Sequence, residues 1–217
     1  MTADEGAGDR IRTALVTRGS GGMGRVIAAQ LAADGFDVAV ACAGSADLAD
    51  AVEDRLGHLD VVVHTAGINH PAALADLDLE DFDEIHRVNV RGSFVVNQQA
   101  ARRVRDGGSI VNISTSMVRV APPELSAYAA SKAAVDVLTR ILAKELRGRD
   151  ITVNAVAPGP TATAAFLSST SAEEQEQLAA LPPLGRPDDI AGVVSFLVGP
   201  AGRWVNGQVV YANGGLA

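Results

Sequence analysis

Short runs rich in Val and Ile alternate with longer amphipathic segments along the whole chain. This alternation predicts an α/β fold, a doubly wound parallel sheet with helices on both faces. Strands are predicted at Ile11–Val16, Asp37–Ala41, Leu59–His64, Ser109–Ser114, Ile151–Val156 and Gln208–Tyr211. Stretches such as DVVV, SIVNI and ITVNAVA are apolar nearly throughout, as strands covered on both faces must be. Helices are predicted at Gly22–Asp34, Ala46–Leu56, Leu79–Arg105, Ser126–Arg147 and Pro187–Val198. The segment Pro160–Gly185 is rich in Ser, Thr and Glu, holds three prolines, and reads as a mobile flap with short helical patches. Residues 1–10 are polar and acidic, a loose tail, and residues 11–217 read as one domain without linker or repeat.

Composition narrows the function classes. The net charge of −8 and the lack of a basic stripe in the sequence argue against nucleic acid or an anionic membrane as partner. No apolar run approaches the ~18 residues of a membrane span. The single cysteine, Cys42, excludes an internal disulfide and fits a reducing compartment, so a soluble cytoplasmic protein is expected. Aromatics make up only 4% of the chain, so core and binding site must be mainly aliphatic. His58, His64, His70 and His86 have no metal-like spacing and no carboxylate partner visible in the sequence, and they are read as surface or structural groups. Trp204 is expected to pack near the last strand, and Cys42 to be a small buried residue.

Between the first strand and the first helix stands VTRGSGGMGR, in which Gly19, Gly21 and Gly24 satisfy G-x-G-x-x-G. The string alone is weak; its place between strand and helix strengthens it. Missing Cβ atoms let the backbone touch a pyrophosphate, and the free N–H groups and helix dipole stabilise its charge.

Further along lie VNV around Asn89, SIVNISTS (Ser109 to Ser116), YAASK (Tyr128 to Lys132), VNAVAPGPTAT (Val153 to Thr163) and the closing VNGQVVYANGG. In this order and context, from about Ile11 to the end, the chain resembles the short-chain dehydrogenase/reductase family, which has a Rossmann-type fold. It is most similar to the branches that reduce 3-oxoacyl carrier-protein thioesters and hydroxynaphthalenes. The family's glycine motif implies a dinucleotide over Thr17, Arg18, Gly19, Ser20, Gly22, Met23 and Gly24. It adds Ala66 and Gly67 of HTAG, and Pro158, Gly159, Thr161 and Thr163 near the nicotinamide. The family's catalytic set implies Asn89, Tyr128 and Lys132 here, with all three also facing the cofactor. The serine of that set falls on Thr115, flanked by Ser114 and Ser116. Thr115 is favoured, because strand alternation turns Ser114 the other way unless the strand end is bulged, and Ser114 stays as the alternative.

These residue types suit proton transfer. Tyr128 and Lys132 are four apart and share a helix face. An ammonium beside a phenol stabilises the phenolate, so Lys132 is expected to lower the Tyr128 pKa from its usual ~10. In the family the lysine also holds the nicotinamide ribose, the Ser/Thr hydroxyl polarises the carbonyl, and the Asn anchors a water; no metal is needed.

Three departures from the family pattern stand out. Arg18 replaces a turn glycine, at a cost of roughly 1 kcal/mol or more if its φ is positive, and its guanidinium would then sit beside the adenosine pocket. The second strand ends in ACAGS (Ala41 to Ser45) without the acid that grips ribose hydroxyls in NAD-preferring members. NADP is therefore expected, NAD being the alternative, with Arg18 and Ser45 as candidates for the extra phosphate. Finally, room exists for only one helix before LDVVVHTAG, so one edge strand and helix should be missing and the second strand left at the edge. With HTAG in place of the usual NNAG, the adenine side is expected to be reduced and dinucleotide binding weaker.

The leading expectation is an NADP-dependent oxidoreductase that reduces a small-molecule ketone, a 3-oxoacyl or polyketide-like carbonyl. The alternative is a relative without hydride transfer that performs isomerisation, cyclisation or dehydration, or only binds a ligand. The resemblance also implies a homodimer or homotetramer.

Overall fold

The computed structural model describes residues 11–41, 54–55, 57–169 and 184–217. The calls on the tail 1–10, on Cys42 and Ser45, and on most of the Ala46–Leu56 helix and the flap lie outside them.

Six parallel strands form one sheet in the order β2-β1-β3-β4-β5-β6. They are β1 (Thr13–Thr17), β2 (Asp37–Ala41), β3 (Leu59–His64), β4 (Val104–Ile113), β5 (Thr152–Pro158) and β6 (Val209–Ala212). The helices are α1 (Gly22–Ala33), α2 (Leu79–His86), α3 (Gly92–Arg103), α4 (Met117–Val120), α5 (Ser126–Glu145), α6 (Ala164–Ser169) and α7 (Pro187–Val198). The period of two sorts the core. Ala14, Val16, Val61 and Val63 face Ile27 and Leu31 of α1 and Ile190, Val194 and Leu197 of α7. Leu15, Val62, Ile110 and Val153 face Ala100 of α3 and Leu142 of α5.

Among the described residues β2 lies at the sheet edge, as the shortened spacing predicts, with Val40 46% exposed. Strand bounds shift by a residue or two at β1, β5 and β6. Two calls need correction. The predicted strand at Ser109–Ser114 begins at Val104 and stops at Ile113, because Val104 pairs with Leu59 and a register shift absorbs the residues between Val104 and Ser109. The predicted single helix Leu79–Arg105 is interrupted by a π-helical turn, Arg87–Arg91, and ends at Arg103. The extra residue turns Asn89 wholly inward, where its side chain meets the backbone of Ile68. No described helix is long and apolar enough to cross a membrane.

Candidate active site

The carboxyl ends of β1, β3, β4 and β5 open onto the predicted site. The β1–α1 turn is shaped by close approach. A Cβ on Gly24 would stand 2.6 Å from the Arg18 carbonyl and 2.9 Å from Thr65 Oγ1, so only glycine lets α1 seat against the strand. Gly22 has φ +46° and, like Gly21 with open space around it, leaves the start of α1 uncovered. That first turn holds no acid, and Gly21 supplies no capping side chain. Gly19 is buried against Val40, while Ser20 is exposed and Met23 half-buried. Thr17 is buried and engaged: its hydroxyl meets His64 Nδ1 at 2.9 Å and accepts from Thr65 N.

Arg18 has φ 51°, so the strained geometry expected for a side chain here is present. Its guanidinium does not lie on the adenosine side, as the sequence reading had it. It donates to the Gly67 carbonyl beyond β3, away from β2, and its charge reaches Lys132.

Tyr128 stands near the start of α5, half-buried, with its phenol beside the side chain of Thr115, which opposes the rise of its pKa. Thr115 Oγ1 also accepts from Met117 N at 3.3 Å. Ser114 turns away: its N–H continues the ladder to Val156 O at 2.7 Å, and its hydroxyl lowers the pKa of Asp136. That contact falls short of hydrogen-bond geometry, leaving Ser114 Oγ and Asp136 Oδ1 unpaired among the described residues. Ser116 Oγ is buried and unpaired as well. The geometry therefore places Thr115, not Ser114, beside the phenol.

Lys132 is buried one turn further along α5. Its Nζ donates to Ile113 O at 2.8 Å and lies 3.5 Å from Ala66 O. Burial lowers its pKa to about 8, with Asp136 opposing and Arg18 adding to the drop. The bare Cα of Gly67 leaves room for this approach, since a Cβ there would stand 2.9 Å from Nζ and displace the side-chain tip. The expected lowering of the Tyr128 pKa by Lys132 is not what governs the phenol. Burial raises it and Thr115 opposes, because the ammonium is spent on main-chain carbonyls.

Asn89 Oδ1 accepts from Ile68 N, and its Nδ2 donates to Ile68 O and to Ser131 Oγ, each at 2.9 Å. Ser131 in turn donates to Tyr128 O at 2.7 Å. Ser131 was missed by sequence reasoning, although it lies inside the quoted YAASK. His64 was passed over too. It is buried, its pKa falls to about 3 by burial and the charge of Lys132, and it links Thr17 to Ser93 Oγ at 3.1 Å. Ser93 Oγ donates to Asn89 O, so the network requires His64 Nε2 to carry the proton and Nδ1 to accept from Thr17. His64 thus pins β1 to the π turn and is a satisfied structural group. Two other histidines correct the expectation of no acid partners: His58 lies 3.4 Å from Asp60, and His70 3.2 Å from Glu84. His70 and Glu84 come from separate segments and left no trace in local spacing. His58 and Asp60 stand two residues apart, and their spacing could have revealed the pair.

Beyond β5, Thr161 Oγ1 donates to Gly159 O, and Thr163 Oγ1 accepts from Phe166 N at the start of α6. A Cβ on Gly159 would meet Asn213 Cα at 2.9 Å, and Thr163 faces Gly22 across the crevice. Pro158, Gly159, Thr161 and Thr163 therefore wall the crevice at the end of β5. Trp204 is 89% exposed rather than packed.

A family model described as enoyl-(acyl carrier protein) reductase matches residues 43–217. A short-chain type dehydrogenase/reductase of Picea abies is 45% identical over 177 residues, 78% of this chain and 65% of that protein. The chain thus spans just under two thirds of that relative. A short-chain dehydrogenase from Burkholderia cenocepacia J2315, solved in complex with NADP, superposes with a TM-score of 0.87 at 37% identity over 94% of this chain and 97% of that one. The angucycline C-6 ketoreductase LanV, solved with bound NADP, gives 0.85 at 31% identity over 94% and 95%.

Proposed function

The chain belongs to the short-chain dehydrogenase/reductase family, and from that premise we propose that it reduces a ketone with NADPH, the substrate being a 3-oxoacyl or polyketide-like carbonyl. The observation that carries this reading is Tyr128 beside Thr115, with Lys132 buried one turn along the same helix as Tyr128.

The residues fit the dinucleotide: the uncovered start of α1 takes its pyrophosphate, and Gly24 provides a cradle that a Cβ would fill. Lys132 would hold the ribose hydroxyls, and the wall from Pro158 to Thr163 the carboxamide. When bound, the cofactor supplies hydride to the carbonyl carbon. Thr115 Oγ1 orients the carbonyl oxygen and Tyr128 gives it a proton. The raised phenol pKa keeps Tyr128 protonated at neutral pH, the form reduction needs. Asn89 and Ser131 position the Tyr128–Lys132 turn of α5. The preference for NADPH rests on the missing carboxylate after β2, since Arg18 is engaged with Gly67. Exposed Phe94, Val137 and Ile141 give α3 and α5 the apolar surface on which a homodimer or homotetramer would assemble.

One observation favours a second reading, acid/base chemistry without hydride transfer: the Arg18 bridge to Gly67 crosses the crevice a dinucleotide would enter. Thermal-shift titration with NADPH and NADH separates the two. Binding of NADPH with consumption on a ketone panel supports the reductase, and no binding of either at millimolar concentration rejects it.

Thr115→Ala is expected to lower turnover by about tenfold to a thousandfold, with Thr115→Ser close to the parent and Ser114→Ala nearly silent. Steady-state assays check this, and a larger loss in Ser114→Ala would reverse the assignment.

A further inference from the structure

A cavity of about 600 Å³ lies at the amino ends of the strands, bordered by Arg12 before β1, Thr152 at the start of β5 and Gln208 before β6. The catalytic groups lie at the other end of the sheet, roughly 20 Å away along a seven-residue strand such as β5. The cavity's lining carries five cations, Arg12, Arg140, Lys144, Arg147 and Arg203, against one carboxylate, Asp150. In a chain of net charge −8 this is a local reversal of sign, and the mutual repulsion of these cations opposes folding. Arg140, Lys144 and Arg147 follow one another at i, i+4 and i+7, so they share a stripe of α5 and its end. Among the described residues none of these three, nor Arg203, makes an ion pair within 4 Å, although Arg105, Arg149 and Arg186 all do.

The negative end of the α5 dipole accounts for cations in the last turn. It does not account for Arg203 or for Arg12, which is half-buried and donates to Val198 O at 2.6 Å. Beside them the indole of Trp204 stands 89% exposed, a large flat surface with no ring or cation stacked on it among the described residues. The volume is that of a small-molecule site. Guanidinium and ammonium groups spaced along a helix match the oxygens of a di- or triphosphate, and an exposed indole matches a heteroaromatic ring.

We propose that this cavity is a second ligand site, separate from the dinucleotide crevice, for a nucleoside di- or triphosphate. Its phosphates lie along Arg140, Lys144, Arg147 and Arg203, and its base stacks on Trp204.

Trp204 is the only tryptophan in the chain, so intrinsic emission reports this site alone. The full-length protein is titrated with ADP, with excitation at the red edge of the indole band, beyond adenine absorption. The expected result is a saturable change in emission that persists under saturating NADPH and weakens steeply with salt. Pyrophosphate, which lacks a base, should bind more weakly. A Lys144→Glu/Arg147→Glu double variant should lose about tenfold or more in affinity for ADP while keeping its ketone reductase turnover. If charge reversal lowers the melting temperature, Lys144→Gln/Arg147→Gln replaces it. Emission that stays flat to millimolar ADP overturns the proposal. So does displacement by NADPH, which assigns the signal to the cofactor crevice. Blue-shifted emission indifferent to ADP also overturns it, because the face would then be covered by another copy of the chain.

Discussion

Tyr128→Phe is expected to reduce ketone turnover by about 10²- to 10⁴-fold while leaving NADPH affinity within a few-fold of the parent. The hydroxyl it removes is the one polar group of Tyr128 that faces Thr115, and it is the proton donor the reduction needs. The ring remains to fill the same half-buried space, and Thr115 keeps its backbone donor from Met117. Folding stability should therefore change by no more than about 1 kcal/mol, the net worth of one hydrogen bond. Steady-state NADPH oxidation together with a binding titration checks both halves. Turnover within a few-fold of the parent would remove the phenol from the chemistry. Loss of binding alongside loss of turnover would mean that Tyr128 serves the cofactor rather than the proton. The parent enzyme should also lose reductase activity as pH rises toward the elevated phenol pKa, since only the protonated form can donate.

What the sequence could reveal was set by what is local or periodic. The two-residue period of Ala14, Leu15 and Val16 assigns each side chain to a face, and both faces are occupied as the pattern requires. The missing edge was legible from chain length alone, because too few residues separate β2 from β3 for another strand and its crossover. Tyr128 and Lys132 shared a helix face by spacing, and Gly24 announced a close contact. The electrostatics were not legible. Lys132 reaches Ile113 O through the fold, and that contact, not the four-residue spacing, decides where its charge acts. The π turn at Asn89 adds a single residue inside one long amphipathic segment, and the broken helix read as continuous. Arg18 was recognised as anomalous, but its direction depends on a left-handed φ that the sequence does not encode in its neighbours. His64 joins Thr17 to Ser93 across 29 and 47 residues, a network with no local signature.

The departures at Arg18 and His64 have different physical meanings. His64 takes over a structural task inside the sheet: its neutral ring satisfies Thr17 and Ser93 in a place too dry for a charge. Its ring is engaged inside the sheet, at the place where the family has an asparagine. Arg18 is exposed and strained, and it touches the same Gly67 whose missing side chain admits Lys132. The tension in the site is concentrated at that one side chain, which makes dinucleotide binding the decisive measurement for the proposed function.

Lys132→Met is expected to abolish turnover and yet to raise stability at neutral pH by about 1–2 kcal/mol, a few degrees in melting temperature. The ammonium is buried, and its folded-state pKa of about 8 lies below the ordinary lysine value of 10.5. The difference corresponds to ~3 kcal/mol against the folded state. Losing the donor to Ile113 O returns about 1 kcal/mol or more of that gain, which sets the net figure. The sign follows from proton counting. Below pH 8 the lysine is charged both folded and unfolded, so the parent bears the whole penalty. Between pH 8 and 10.5 the unfolded chain holds more protons, so parental stability rises with pH. Above 10.5 the penalty has gone and the advantage of methionine should vanish. The charges that face Lys132 are Asp136, one turn along the same helix, and Arg18 after β1, which act in opposite directions, while His64 is neutral over this range. Denaturant unfolding of both proteins at neutral and alkaline pH measures the effect. A methionine variant less stable than the parent at neutral pH would mean that the carbonyls of Ile113 and Ala66 and the carboxylate of Asp136 repay the burial of the charge in full. Lys132 would then be a strut of the fold as well as part of its chemistry.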